Sequence, residues 1–293
     1  MHDVFQYAVD AIGYGSLYAM MALGLALIFS VMGLMNFAYG ELIMAGGYTI
    51  YLMRHDSFVF IAIVTILVVT IISVLMERIA FRPLRDASPI TLLVASFGVS
   101  IGMQQIAYMT VGPIPKGIPP FHFFSHTFNI GGVSISNLEI ATLVTTIVLL
   151  TGVTLLVNRT MLGIQLRAST EDFDMARLTG VKANRVIISA FAITGVLAGF
   201  VALLYVSRQG TVTPTMGVAP LLVAFVGGVI GGLGNIWGAT LGGFLLGAAV
   251  TVLQASLPVH LSSYTQLFAF SAVILILVLR PNGLFARRAA REA

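Results

Sequence analysis

The chain has 293 residues, of which 58% are hydrophobic and only 9% are charged, and its formal net charge is +4. A soluble domain carries about 25% charged residues, so this composition excludes an ordinary soluble protein. The small net charge and the lack of a basic stripe exclude a nucleic-acid-binding surface. Because the chain has no Cys, disulfides and thiolate metal sites are excluded as well.

Apolar runs long enough to cross a bilayer recur along the whole chain. A membrane helix needs about 20 apolar residues, and such runs must be helical because an isolated strand leaves its backbone groups unpaired in lipid. The predicted spans are 10–32, 36–53, 58–77, 89–110, 138–157, 185–206, 217–232, 237–257 and 265–280. We therefore predict an all-α integral membrane protein, a single domain over 1–293 whose helical bundle has about nine spans, within a range of eight to ten.

The first apolar run is expected to be a retained span. The ten residues that precede and open it contain Asp3 and Asp10 but no Lys or Arg. A cleavable signal peptide has a basic region at this place.

The basic residues predict the orientation. Twelve of the 15 Lys and Arg fall on one side of the nine spans, and only Arg54, Lys116 and Arg208 fall on the other. Since cytoplasmic loops carry the excess of basic residues, the N-terminus is expected outside and the C-terminus in the cytoplasm. The 281–293 segment is then a basic cytoplasmic tail.

The second predicted span contains an acidic residue, Glu41, close to several glycines. A charged carboxylate inside a bilayer costs about 3 kcal/mol, so Glu41 is expected to face the bundle interior or a wet cavity. It either lines a route through the bundle or is a hydrogen-bonded packing residue. Gln104 and Gln105 in the fourth span have the same two interpretations. The candidate pathway residues are Asn36, Tyr39, Gly40, Glu41, Gly46, Gly47, Gln104 and Gln105.

Two connectors are long. The outer connector, 111–137, is rich in Pro and Phe and is predicted to be irregular rather than helical. It is either a spacer over the bundle or a contact for an extracytoplasmic partner. His122 and His126 lie in it and are interpreted as surface residues, and no metal site is predicted.

The inner connector, 158–184, contains a capping pattern. Ser169 is predicted as an N-cap followed by the acids Glu171 and Asp172, and Gly180 as the C-terminal stop of a helix of about ten residues. This helix is either a simple amphipathic connector or a lever that docks on a separate motor subunit.

A glycine-rich run joins the seventh and eighth spans. It lacks the Lys-Ser/Thr ending of a nucleotide loop and does not follow a strand, so a tight turn between closely packed helices is predicted. The turn glycines are Gly231, Gly232, Gly234 and Gly238. The sequence also contains no GxxxxGK[ST] or HExxH motif, and no catalytic residues are predicted.

Four segments carry a recognisable pattern: Gly33 to Glu41, the loop Arg167 to Gly180, the glycine run 227–243 and the ending Arg280 to Phe285. Together they resemble the permease subunits of branched-chain amino acid ABC importers, in particular the high-affinity paralogue that starts directly with its first span. The likeness covers essentially the whole chain.

The resemblance implies an importer subunit in a bacterial inner membrane. Its implied partners are a second permease, two cytoplasmic ATPase subunits that bind ATP and Mg, and an extracytoplasmic binding protein. No cofactor is expected on this chain. The coupling role on the ATPase carries over to Ser169, Glu171, Asp172, Ala176 and Gly180, although Arg177 and the acids depart from the small residues expected there.

Two other functions stay open at this point. Permeases for urea and short-chain amides look much alike, so the substrate is the weakest inference. An ion-coupled secondary transporter would instead need intramembrane acids paired with bases, and Glu41 has no such partner in the predicted spans.

Overall fold

The computed structural model describes residues 2–33, 36–85, 87–121, 123–130, 133–171, 182–232, 235–258, 261 and 264–279. The helices in this part of the chain are α1 (His2–Met32), α2 (Tyr39–Leu52), α3 (Phe58–Met76), α4 (Pro89–Thr110), α5 (Asn137–Arg159), α6 (Met161–Glu171), α7 (Ala183–Gln209), α8 (Val218–Gly231), α9 (Ile236–Ser256) and α10 (Thr265–Leu279). A π-helical turn, Glu77–Phe81, and a 3-10 turn, Arg82–Leu84, extend α3. The short strands are β1 (Lys116–Gly117), β2 (Thr127–Ile130), β3 (Val133–Ser136) and β4 (Thr211–Val212).

Six of the helical stretches are long and apolar enough to cross a membrane. They are Phe5–Ser30, Phe58–Leu84, Pro89–Thr110, Asn137–Arg159, Asn184–Gln209 and Ile236–Ser256. The other three predicted spans correspond to α2, α8 and α10. The first two have 14 residues each, and α10 has 15 within the described part of the chain, so these described lengths fall short of the usual span. The protein is an all-α polytopic membrane protein.

The surface of α3 shows why these helices suit a bilayer. Val59, Ile63 and Leu67, spaced four residues apart, are each more than half exposed. On the opposite face Ser73 is buried, and its hydroxyl donates to the Phe191 carbonyl of α7 at 2.7 Å. Apolar residues outside and hydroxyl groups inside are the distribution expected when the surroundings are lipid and the contacts between helices are polar.

The centre of the bundle is α1, which packs closely against α9. In the apolar stretch of α1, 78% of the residues are buried, against 22% in α3, α4 and α5. A Cβ added at Gly243 of α9 would lie 2.6 Å from the Ala22 Cβ and 2.9 Å from the Tyr18 carbonyl oxygen of α1. Small residues allow this approach of two backbones, which is the usual way membrane helices associate.

The outer connector contains short strands but no helix among its described residues. β1 pairs with β4 in antiparallel fashion, and β2 pairs with β3. The Ile118 amide also donates to the Gly210 carbonyl at 2.8 Å, just after α7 ends. The connector is therefore tied to the end of α7.

The predicted N-cap at Ser169 is wrong. The helix begins eight residues earlier, at Met161, and the Thr160 hydroxyl accepts a hydrogen bond from the Gly163 amide. Ser169 lies inside α6, where its hydroxyl donates to the Gln165 carbonyl at 2.9 Å. Thr160, a hydroxyl residue like Ser169, already caps the start of this helix. The Ser-Thr-Glu-Asp pattern at 169–172 therefore falls inside a helix that has begun and cannot start a new one.

Candidate functional site

An Asn-based turn sets the start of α2. The Asn36 Oδ1 accepts a hydrogen bond from the Ala38 amide at 3.0 Å, while its Nδ2 lies 3.8 Å from the Met76 Sδ. Asn side chains commonly stabilise a turn in this way before a helix. The turn brings Glu41 into the first turn of α2, where the free amides of the helix N-terminus favour an acidic side chain.

Glu41 is the centre of a buried polar cluster between α2 and α4. Its Oε1 accepts hydrogen bonds from the Ser100 hydroxyl at 2.8 Å and from the Gln104 amide nitrogen at 2.7 Å. The side chain is fully buried, and its Oε2 has no hydrogen-bond partner among the described residues. The cluster therefore combines a carboxylate, a hydroxyl and an amide within the apolar bundle, with one carboxylate oxygen still available.

Ser100 is a member of this cluster that the sequence reasoning missed. Ser96, Ser100 and Gln104 follow one another at four-residue spacing, which places them on one face of α4. The Ser96 hydroxyl accepts from the Phe37 amide at 3.3 Å, so the whole stripe faces the start of α2. The spacing was a signal that could have found the stripe.

The other predicted pathway residues are placed differently. Gln105 is exposed on α4 and has no hydrogen bond to Glu41 among the described residues. Tyr39 is buried, and its hydroxyl has no hydrogen-bond partner in the described residues. A Cβ at Gly40 would lie 2.6 Å from the Gly217 carbonyl oxygen, and one at Gly46 would lie 2.5 Å from the Ala202 Cβ.

Gly47 is a third close contact of α2. A Cβ there would lie 3.1 Å from the Met216 Sδ and 3.2 Å from the Val206 Cγ2. Together these glycines let α2 approach its neighbours, so Gly40, Gly46 and Gly47 are packing positions beside the polar cluster.

A partly buried charge pair lies at the end of α7. Arg208 forms an ion pair with Glu139 of α5 at 3.4 Å, and its guanidinium carbon lies 3.6 Å from the centre of the Tyr14 ring of α1. Arginine over an aromatic face is a stabilising arrangement. The sequence predicted that Arg208 lies on the outer side. It did not predict the contacts with Glu139 and Tyr14, because both residues are far from Arg208 along the chain.

A third charged cluster joins α3 to α7. Arg85 forms an ion pair with Glu77, which is fully buried, and also donates to the Asn184 side chain. Glu77 begins the π-helical turn after α3, and Asn184 lies in the first turn of α7. The cluster therefore includes the last residue of the inner connector, Asn184.

Much of the predicted coupling helix lies outside the described residues. Glu171 is the last residue of α6, whereas Asp172, Ala176 and Gly180 belong to the part that the structure does not describe. Among the turn glycines, Gly231 of α8 lies against Gly238 and Ala239 of α9, and a Cβ there would be 2.9 Å from the Ala239 Cα.

Gly232 ends α8 with a φ of +92°, a conformation that favours glycine. Gly234 lies outside the described residues. In the part of the chain that the structure describes, no three His, Asp or Glu side chains come together as metal ligands.

The family model and the similar proteins below are all described as permeases of branched-chain amino acid transport systems. The family described as "Branched-chain amino acid transport system / permease component" matches residues 7–279. BraD of Pseudomonas aeruginosa, a high-affinity branched-chain amino acid transport system permease protein, is 32% identical over 98% of this chain and 97% of its own length. LivH of Escherichia coli is 28% identical over 96% of this chain and 95% of its own length. No solved structure matches the chain at a significant level.

A more distant relative matches only part of the chain. LivM of Salmonella typhimurium, also named a permease protein of a branched-chain amino acid system, is 30% identical over 43% of this chain and 29% of its own length.

Proposed function

The chain belongs to the family of permease components of branched-chain amino acid transport systems, and on this premise we propose that it is a membrane-spanning subunit of an ABC importer for these amino acids. The observation that carries the proposal is the similarity to BraD over nearly the full length of both chains. Neither a urea permease nor an ion-coupled transporter has comparable support.

The proposed topology has about nine spans in a bacterial inner membrane, with the N-terminus outside. It counts α2, α8 and α10 as spans that are shorter than the six long ones. The distribution of basic residues supports this orientation, because Arg78, Arg82 and Arg85 follow α3 on the proposed cytoplasmic side.

The proposed energy source is ATP hydrolysis on two partner subunits, which would bind ATP and Mg. The chain has no GxxxxGK[ST] motif of its own. The second permease is proposed to be a LivM-like chain, and an extracytoplasmic protein would deliver the amino acid. The inner connector, with Ser169, Glu171, Asp172, Ala176 and Gly180, is proposed to dock on an ATPase subunit.

The ion pair of Glu77 and Arg85 is the proposed link between this connector and the bundle. It holds the end of α3 against Asn184 at the start of α7. A displacement of the connector would therefore move α3 and α7 together. The Glu41 cluster, which lies between α2 and α4, is proposed to line the route on which access alternates.

The test is ATP-dependent uptake into proteoliposomes that contain the whole complex and its binding protein. Radiolabelled leucine, isoleucine and valine are expected to accumulate and to compete with one another. A complex with a catalytically inactive ATPase subunit is the control and should not transport. Uptake of urea alone would reassign the substrate, and leucine uptake by this chain without an ATPase would refute the importer proposal.

A further inference from the structure

A cleft opens at the end of α2, between the α2–α3 turn and the outer connector. Its volume is about 280 Å³, just below the range of about 300–1,000 Å³ that holds drug-sized ligands. The residues that form its walls and floor include Arg54, Asp56, Phe58, Ile118, Phe121 and Phe123. We refer to it as the outer cleft. Its size suits a small metabolite.

The polar side of the outer cleft contains one cation and one anion. The Arg54 guanidinium lies 4.6 Å from the centre of the Tyr51 ring, and its Nη1 donates to the Tyr51 carbonyl at 3.1 Å. Arginine has five N–H donors, so most of them are available to a carboxylate. Asp56 is exposed, and neither charge forms an ion pair with a described residue.

The apolar side is held firmly by aromatic contacts. The Phe58 ring packs edge-on against Phe121 at 5.0 Å and against Phe124 at 5.2 Å between centroids. Such pairs are favourable beyond the area that they bury. Ile118, which is 6% exposed, completes this side and is fixed by its hydrogen bond to Gly210. This apolar wall contains no charged residue among those described, so it offers no ion-pair partner to a charged side chain of a ligand.

We infer that the outer cleft binds a free zwitterionic amino acid with an aliphatic side chain. Arg54 binds the carboxylate, Asp56 binds the ammonium group, and the wall of Phe58 and Phe121 packs against the side chain. The inference rests on the proposed function and deepens it, because it specifies what part of the substrate this subunit recognises. Urea has neither charged group and is excluded.

The place of the outer cleft in the bundle fits a site of entry. α2 has 14 residues and is therefore about 21 Å long at 1.5 Å per residue. Glu41 lies in its first turn, and Arg54 follows its last residue by two positions. One helix thus connects the outer cleft with the buried polar cluster, and an amino acid released by a binding protein would meet the outer cleft first.

The experiment uses a leucine analogue that carries a photoreactive diazirine in its aliphatic side chain and keeps both charged groups. The whole complex in nanodiscs is irradiated with this probe, without ATP or binding protein, and the crosslinked peptides are mapped by mass spectrometry. The variants are Arg54→Gln and Asp56→Asn. The matched control is His55→Gln, since His55 lies between the two charges, is exposed and does not line the outer cleft.

Crosslinks are expected in 54–58 or 118–123, and excess leucine should suppress them. Leucinol and 4-methylpentanoate, which each lack one charged group, should compete at least about tenfold less well, because hydrogen bonds to charged groups contribute about 1.5–3 kcal/mol. Asp56→Asn should reduce the labelling about fivefold or more, and His55→Gln should not. Asp56 is exposed, so its replacement tests recognition without disturbing the fold.

Several outcomes would overturn the inference. Labelling that Asp56→Asn and Arg54→Gln leave unchanged would show that the charges are not used. If the variants weaken capture of the binding protein but not labelling, the outer cleft is a protein-docking site. Leucine uptake by the wild-type complex without crosslinks in these peptides would refute the inference while the proposed function stands. Crosslinks without leucine uptake would refute the proposed function instead.

Discussion

Glu77 and Arg85 form an ion pair at the end of α3, and Arg85 reaches from there to Asn184 in the first turn of α7. The Glu77 side chain is fully buried, and that of Arg85 is 14% exposed. Since a buried charge that loses its partner is costly, the pair holds Arg85 in place, and the Arg85 hydrogen bond to Asn184 ties the end of α3 to α7. It does so beside the connector that is proposed to receive the motion of the ATPase.

Arg85→Gln is expected to destabilise the complex and to uncouple it. Removing one member of a buried ion pair costs about 3–5 kcal/mol, because the remaining charge has no compensation. The double variant Glu77→Gln/Arg85→Gln should be less destabilised than the sum of the two single variants. Thermal unfolding of the complex followed by fluorescence-detected gel filtration measures stability, and the ratio of leucine transported to ATP hydrolysed measures coupling.

Arg82→Gln is the control for this prediction. Arg82 belongs to the same basic segment but is exposed and forms no ion pair within the described residues. Its replacement should leave both stability and coupling near the wild-type values. Equal effects of Arg82→Gln and Arg85→Gln would mean that general positive charge, not the pair with Glu77, is important.

Gln104→Ala and Gln105→Ala are expected to differ although the residues are adjacent. Gln104 donates to Glu41 at 2.7 Å, whereas Gln105 is exposed on α4. Loss of the Gln104 amide leaves the buried carboxylate less satisfied, at a cost of about 1–3 kcal/mol. Leucine uptake and thermal stability should both fall for Gln104→Ala and stay unchanged for Gln105→Ala. The reverse order would contradict the role assigned to the cluster.

Gly243→Ala is expected to separate α1 from α9. The added methyl group would lie 2.6 Å from the Ala22 Cβ and 2.9 Å from a backbone oxygen, so one helix must shift. Overpacking of this kind costs about 1–3 kcal/mol. Gly102→Ala in α4 is the control, because no atom lies within 4 Å of its added Cβ, and it should be neutral or slightly stabilising. Equal melting temperatures for the two variants would contradict this packing.

The sequence predicted the long spans well because each is a single uninterrupted apolar run. It was less decisive for α2, α8 and α10, since runs of about 15 residues are compatible with a span or with a buried helix. The predicted cap at Ser169 was wrong because the Ser-Thr-Glu-Asp pattern does not show that Thr160 already caps the helix nine residues earlier. The contact between Arg85 and Asn184 joins residues 99 positions apart, which no local pattern reveals.

Replacing Glu171 and Asp172 by Lys is expected to weaken binding of the ATPase subunits. Charged groups on two sides of an interface are complementary, so reversing two acidic residues at the proposed docking surface would weaken association. Co-purification of the ATPase should fall about tenfold, while the melting temperature of the permease pair stays unchanged. Lys116→Glu, a charge reversal on the proposed outer side, is the control. Loss of the ATPase in the control as well would point to a general electrostatic effect.

The proposed orientation can be tested cleanly because the chain has no Cys of its own. Single Cys residues replace Ile114 in the outer connector and Met161 at the start of α6, which are 69% and 73% exposed. A membrane-impermeant maleimide added to intact spheroplasts should label Ile114→Cys, because its loop carries little positive charge. Met161→Cys should react only after the membrane is permeabilised. The opposite pattern would invert the topology and would place the outer cleft and the inner connector on the wrong sides for import.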